Sequence, residues 1–185
     1  MPMEPPKPRR EIHHRTIDMR AYAREDGLYD VEAHLVDTKP YPFKRFSTAE
    51  RWPANQPLHD MRIRLGVDAE FVVREIQASS DVTPFGICKE AERTLSVLIG
   101  ERIASGWSSR VKERLRGAAS CTHLMEMLIT MGTTALQGIR AIRNEAGVSV
   151  EAAAAHKIDS CYAFGRDREV VRMLWPAHYR PAGGK

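Results

Sequence analysis

The sequence predicts an α+β protein, with a small antiparallel sheet followed by helices packed on one face of it. Three observations carry this reading. In the first half of the chain, apolar and polar residues alternate twice: Val31, Ala33 and Leu35 against Asp30, Glu32 and His34, and Met61, Ile63, Leu65 and Val67 against Arg62, Arg64, Gly66 and Asp68. Period-2 alternation is the mark of a half-buried strand. After Asp81 the apolar spacing becomes helical, and strands followed by helices point to α+β rather than to an alternating parallel fold.

The elements follow in order. Residues 1 to 10 hold four prolines and read as a disordered arm. Residues 13 to 23 can be extended, and Gly27 in Glu25-Asp26-Gly27 offers a turn into the strand at 28 to 36. Residues 37 to 57 carry four prolines and read as loop. A second hairpin joins 61–67 to 71–78 through a turn near 67–70. Thr83 followed by Pro84 reads as N-cap and first helical residue. Cys88, Ala91, Leu95, Leu98, Ile99 and Ile103 then share a stripe, which Ser105-Gly106-Trp107 breaks. A short helix is expected over 111–115 and a long one over about 121–145. The long one has Leu124, Met125, Leu128, Met131, Ala135, Leu136 and Ile139 on its apolar side. Ser149 reads as the N-cap of a further short helix. The expected organisation is one α+β domain over 11–175 and a flexible tail over 176–185.

Composition bounds the function. Hydrophobic residues make up 43% and charged residues 28% of 185 residues, enough for one core. The net charge of +4 is mild, and no Lys/Arg run is interleaved with aromatics, so nucleic acid is not an expected partner. No stretch approaches the roughly 20 apolar residues of a membrane helix. The opening MPMEPPKPRR has no apolar signal-peptide core. Three cysteines at irregular spacing suit a reducing cytoplasm rather than a disulfide framework.

Chemistry concentrates at a few positions. His59 and Asp60 enter the second hairpin, Cys88 lies early in the first helical segment, and Cys121 and His123 open the long helix. Thiolate, imidazole and carboxylate are zinc or iron–sulfur ligand types. A helix N-terminus also favours a thiolate. Residues two apart within a helix diverge by about 200°, so Cys121 and His123 can share a site only if Cys121 stands at or before the first turn. Each residue also has an ordinary reading: Cys88 as core, His59-Asp60 as a loop pair, His13-His14-Arg15 as polar positions on an edge strand, Asp30, Glu32 and His34 as a solvated strand face. Cys161 reads as structural. Arg62, Arg64 and Arg74 form a basic row, read as a docking surface or as a solvated face.

The stretches REDGLYDVEAHLVDTKPY, LHDMRIRLGVD and CTHLMEML resemble a bacterial domain-of-unknown-function family met beside catabolic enzymes for acyl or aromatic compounds. The likeness covers roughly residues 11 to 140. It departs at Ser120-Cys121, where Gly-Cys is expected. More distantly, the order of elements over 57–140 is similar to that of NifU/IscU-like iron–sulfur cluster scaffolds. That likeness implies an IscU-like core with ligand positions at His59, Cys88 and Cys121 and with Asp60 matching a conserved aspartate; His59 stands where the scaffolds have cysteine. The resulting expectation is a cytoplasmic metal-binding accessory protein, or a small subunit of a multicomponent catabolic enzyme. Its ligands would be His59, Cys88 and Cys121, with Asp60 and His123 as a fourth ligand or as supports behind the ligands. Zinc is the expected ion, with iron or an iron–sulfur cluster as alternative, and the partner would be a larger enzyme subunit or a cofactor-receiving protein. The alternatives are an enzyme with Cys121 as thiolate nucleophile and a histidine such as His123 as base, and an interaction module without a site.

Overall fold

A computed structural model of the chain describes residues 3–45, 50–145 and 150–182. Among the described residues six strands come first along the chain: β1 His14–Ala23, β2 Tyr29–Thr38, β3 Phe43–Lys44, β4 Arg51–Trp52, β5 His59–Val67 and β6 Val73–Val82. A 3-10 segment, Gly86–Leu98, follows, and then α1 Trp107–Leu115, α2 Thr122–Glu145, α3 Val150–Lys157 and α4 Glu169–Leu174. This is the expected α+β class. The main sheet has the order β1-β2-β5-β6, antiparallel throughout. β3 and β4 pair separately within the proline-rich connection read as loop. Ser149 lies outside the described residues.

The alternating pattern decides which face is covered. Val31, Ala33 and Leu35 of β2 and Met61, Ile63, Leu65 and Val67 of β5 are buried in one cluster. With them are Leu95 and Leu98 of the 3-10 segment, Val111 and Leu115 of α1, and Leu124, Leu128 and Met131 of α2. Burying each large apolar side chain contributes roughly 1.5–3 kcal/mol. The intervening residues face away and carry charge: Arg64 pairs with Glu32 at 2.7 Å and Arg20 with Asp18 at 2.9 Å. Gly27 adopts φ +86° in the turn between β1 and β2.

Three local features differ from the sequence reading. The segment after Thr83 is 3-10 rather than α-helical, starting at Gly86 after an extended Phe85 without side-chain capping; the Thr83 hydroxyl instead donates to the Phe85 carbonyl at 2.9 Å. Residues at i and i+3 eclipse in a 3-10 helix, so Leu95 and Leu98 form one buried row while Ile99 is 51% exposed. Ile103 is buried without being helical. Its N–H donates to the Phe71 carbonyl at 2.8 Å, next to a bridge between Val72 and Arg102. The short helix begins at Trp107, four residues earlier than expected, because Gly106 takes φ +82° and turns the chain into it.

The chain divides into two compact units, Met1–Ile139 and Arg140–Lys185, where the sequence reading draws one domain over 11–175. The second has its own small apolar cluster of Ala154, Val171 and Trp175, with the Trp175 indole donating to the Val150 carbonyl at 2.8 Å. No helix among the described residues is long and apolar enough to cross a membrane.

Within the first unit, the buried Trp107 indole donates to the Leu128 carbonyl of α2 at 2.8 Å. The absence of a side chain at Gly132 permits this approach, since a Cβ there would meet Trp107 Cδ1 at 2.4 Å. Gly132→Ala is therefore expected to destabilise the protein by about 1–3 kcal/mol through overpacking, although alanine alone favours a helix by about 1 kcal/mol. In a Trp107→Leu background the same change should be near neutral or stabilising. Denaturant midpoints for the four proteins of that cycle check the coupling; equal losses in both backgrounds would refute it.

Candidate functional site

The core-facing row of the sheet does not end in an apolar residue. Arg15, Asp37 and His59 sit opposite one another on β1, β2 and β5, in phase with the buried residues of β2 and β5. Asp37 is fully buried. Arg15 grips it with two parallel bonds, Nε to Oδ1 at 2.7 Å and Nη2 to Oδ2 at 2.8 Å, the strong fork geometry of an arginine–carboxylate pair. His59 Nδ1 lies 2.9 Å from Oδ2 and His13 Nε2 3.1 Å from Oδ1. Arg15 also reaches Glu126 of α2 at 3.1 Å, tying that helix to the edge strand.

α2 supplies the rest. The Cys121 carbonyl accepts the first helical bond, from the Met125 N–H at 3.0 Å, which makes Cys121 the N-cap of α2. This satisfies the geometric condition set by the two-residue spacing: Cys121 Sγ lies 3.7 Å from His123 Nδ1. The other nitrogen of His123, Nε2, is 3.7 Å from Asp37 Oδ2, and the rings of His59 and His123 are 4.0 Å apart. One donor atom from each of Asp37, His59 and His123 lies within 4.8 Å of the other two. Ahead of the helix, Thr94 Oγ1 is 2.7 Å from both the Ala91 carbonyl and Ser120 Oγ. With one hydrogen it donates to the carbonyl and accepts from Ser120, which pins the turn before α2 to the 3-10 segment.

Burial and charge set the protonation states. Burial alone pushes the Asp37 carboxyl up, but the Arg15 guanidinium, with help from His59, outweighs it and holds the group down at about 2. Burial lowers His59 more than Asp37 raises it, so the ring is neutral at pH 7, with Nδ1–H donated to Asp37. Burial also raises the Cys121 thiol, yet His123 and the N–H groups of Leu124 and His123 reverse this and leave it below its ordinary value, as expected at a helix start.

Beside these residues runs a groove of about 630 Å³, lined by His59, Cys121 and His123, by the 3-10 segment and by residues 118–120. Cys88 lines it too, one 3-10 turn from Ala91 and two from Thr94. Thus His59, Cys88, Cys121 and His123 border one groove, while Asp37 meets His59 and His123 without lining it. Asp60 goes elsewhere. It is the neighbour of His59 on β5 and so points to the opposite face, where His34 Nε2 meets it at 2.7 Å. Cys161 is exposed in the second unit. The basic row is paired in place: Arg62 with Asp81, Arg64 with Glu32 and Arg74 with Asp68.

Asp37 escapes the sequence reading, which takes His13 and Arg15 only as polar positions on an edge strand. The available signal is Asp37's position in phase with Val31, Ala33 and Leu35, a charge continuing an apolar series.

Asp37 and His59 both have lowered pKa values, so their contribution to stability is present above their unfolded values and is lost as pH falls. For His59 the loss begins below about 6.5; for Asp37 it runs from about 4 down to about 2 and totals roughly 2 kcal/mol. Asp37→Asn is expected to cost about 3 kcal/mol at neutral pH, the effect of breaking a buried pair, and to flatten the acid limb. Denaturant titrations from neutral pH to pH 3 check this; an unchanged acid limb would count against a paired, ionised Asp37.

A family model described as "Protein of unknown function (DUF2889)" matches residues 13–137. No curated protein and no solved structure matches the chain, so the scaffold likeness gains no support from either comparison. Every residue of the Arg15, Asp37, His59, Cys121 and His123 arrangement lies inside the matched segment, and the chain belongs to this family of proteins of unknown function, DUF2889.

Proposed function

We propose that the protein is a metal-binding protein whose site is Asp37, His59 and His123. The observation that carries this is the meeting of one carboxylate and two imidazoles from β2, β5 and α2, with donor atoms within 4.8 Å of one another. Two bonds of about 2.1 Å span at most about 4.2 Å, so an ion would draw the wider pairs slightly inward. It would replace the proton that His59 Nδ1 shares with Asp37 Oδ2. His123 would bind through Nε2 and direct Nδ1–H to the Cys121 sulfur. A metal-bound histidine commonly fixes its tautomer through such a partner on its other nitrogen. Zinc is the first choice for this set and ferrous iron the alternative. Cys121 then stands beside the ligands, Cys88 lines the same groove, and Asp60 takes no part.

Three protein donors leave coordination positions open, as in catalytic rather than structural zinc sites. This supports a cytoplasmic carrier or an accessory subunit that presents its metal to another protein, such as a larger catabolic enzyme, rather than a module held together by its metal.

A second reading has its own observation. Cys121 at the N-cap, with its sulfur 3.7 Å from His123 Nδ1, is the arrangement of a thiolate nucleophile and its base.

Zinc titration of full-length protein purified without an affinity tag separates the two. The metal reading expects one zinc per chain, a lower melting temperature on chelation, and at least tenfold weaker binding in His59→Ala and His123→Ala. It also expects Cys121→Ser to retain the zinc. No bound zinc, together with fast alkylation of Cys121 that is indifferent to chelator, would overturn it and favour the nucleophile.

A further inference from the structure

We propose that the groove beside His59, Cys121 and His123 receives a small, mainly hydrocarbon compound with a carbonyl oxygen, seated with that oxygen at the two histidines. The inference rests on the metal reading for the oxygen's anchor and on the groove's own lining for the rest.

The lining divides by chemistry. Met61 from the sheet, Phe85, Ile87 and Ala91 from the approach to and body of the 3-10 segment, and Ala118 and Ala119 ahead of α2 form apolar walls. Phe85 and Ile87 are 45% and 71% exposed, so apolar surface continues to the lip. None of the lining residues is Lys or Arg, and Glu90 is the one acid among them; of the four hydroxyls that also line the groove, Thr83 bonds the Phe85 carbonyl, Thr94 and Ser120 bond each other, and Thr122 is the fourth. The His123 and Leu124 N–H groups at the start of α2 are directed to the Cys121 sulfur. A phosphate-bearing or sugar-like ligand would find few partners along these walls, and burying its polar groups there would cost free energy. The size, about 630 Å³, lies in the usual range for small-molecule sites, which are mostly apolar with a few convergent polar groups.

Two of those convergent groups, the His59 and His123 rings, stand 4.0 Å apart. His59 and His123 line the groove, whereas Asp37 is fully buried and does not. An ion held by the three would be approached from the groove that His59 and His123 line. A carbonyl oxygen reaching it would be polarised, with its hydrocarbon part lying along Ala91 and Ile87.

The test uses full-length protein, zinc-loaded and zinc-free, titrated calorimetrically with methyl ethyl, methyl butyl and methyl hexyl ketone and with xylitol as a polar control. Affinity should rise by about fourfold per added methylene, and xylitol should not bind. Ile87→Glu and Ala118→Trp alter exposed groove positions without touching the core, and should each weaken methyl hexyl ketone at least tenfold while keeping zinc stoichiometry. Ile99→Glu, at an exposed apolar position off the groove, should bind as the parent does. A flat ketone series, or unchanged affinity in both groove variants, would overturn the inference even where zinc binds. Absence of zinc binding with a steep, groove-dependent ketone series would sink the metal reading and with it the seating of the carbonyl oxygen at the histidines, and leave the groove's hydrocarbon preference standing.

Discussion

A buried carboxylate at the end of an apolar strand face is the constraint on which the site depends. Asp37 is fully buried, and an ionised carboxylate in such a place is tolerated only when paired and fully hydrogen-bonded. Arg15 supplies the charge and two bonds; His59 and His13 occupy the remaining oxygen positions. Each partner is thereby held in one orientation. The orientation of the His59 ring and the anchoring of α2 through Arg15 and Glu126 follow from satisfying this one group, while burial keeps that ring neutral against the pull of the carboxylate.

The same constraint joins fold to chemistry. The antiparallel register places Arg15, Asp37 and His59 in one row. The helices that cover the sheet bring the start of α2 over the end of that row. Core packing and site geometry are thus set by one alternation along β2 and β5: the same period that buries Leu35 and Met61 turns Asp37 and His59 inward, and it turns Asp60 outward.

Much of the fold was legible in the sequence because alternation and helical spacing are local signals. The pairs Val31/Ala33/Leu35 and Met61/Ile63/Leu65/Val67 and the α2 stripe needed no knowledge of distant residues. The 3-10 segment was not legible, since Cys88, Ala91, Leu95 and Leu98 fit α spacing nearly as well as 3-10 spacing. At the site, His59, Cys121 and His123 stood out by type and position. Asp37 did not, because its role comes from the register with Arg15 and His59, and pairing between strands is not written in any one of them. Asp60 looked equivalent to His59 by proximity, yet one step along a strand reverses the side chain.

The 3-10 segment has a consequence for how such a site can vary among related chains. Because i and i+3 residues eclipse, Cys88, Ala91 and Thr94 form a row along the groove while Leu95 and Leu98 form a separate row in the core. In an α-helix these rows would wind around one another, and a bulkier groove residue would press on the sheet. Here they run side by side. The wall facing the occupant can be recut at Cys88 with the hydrophobic seam left intact, whereas Ala91 packs against the core and Thr94 holds the turn before α2, so selectivity and foldability are under separate control at the first position of the row.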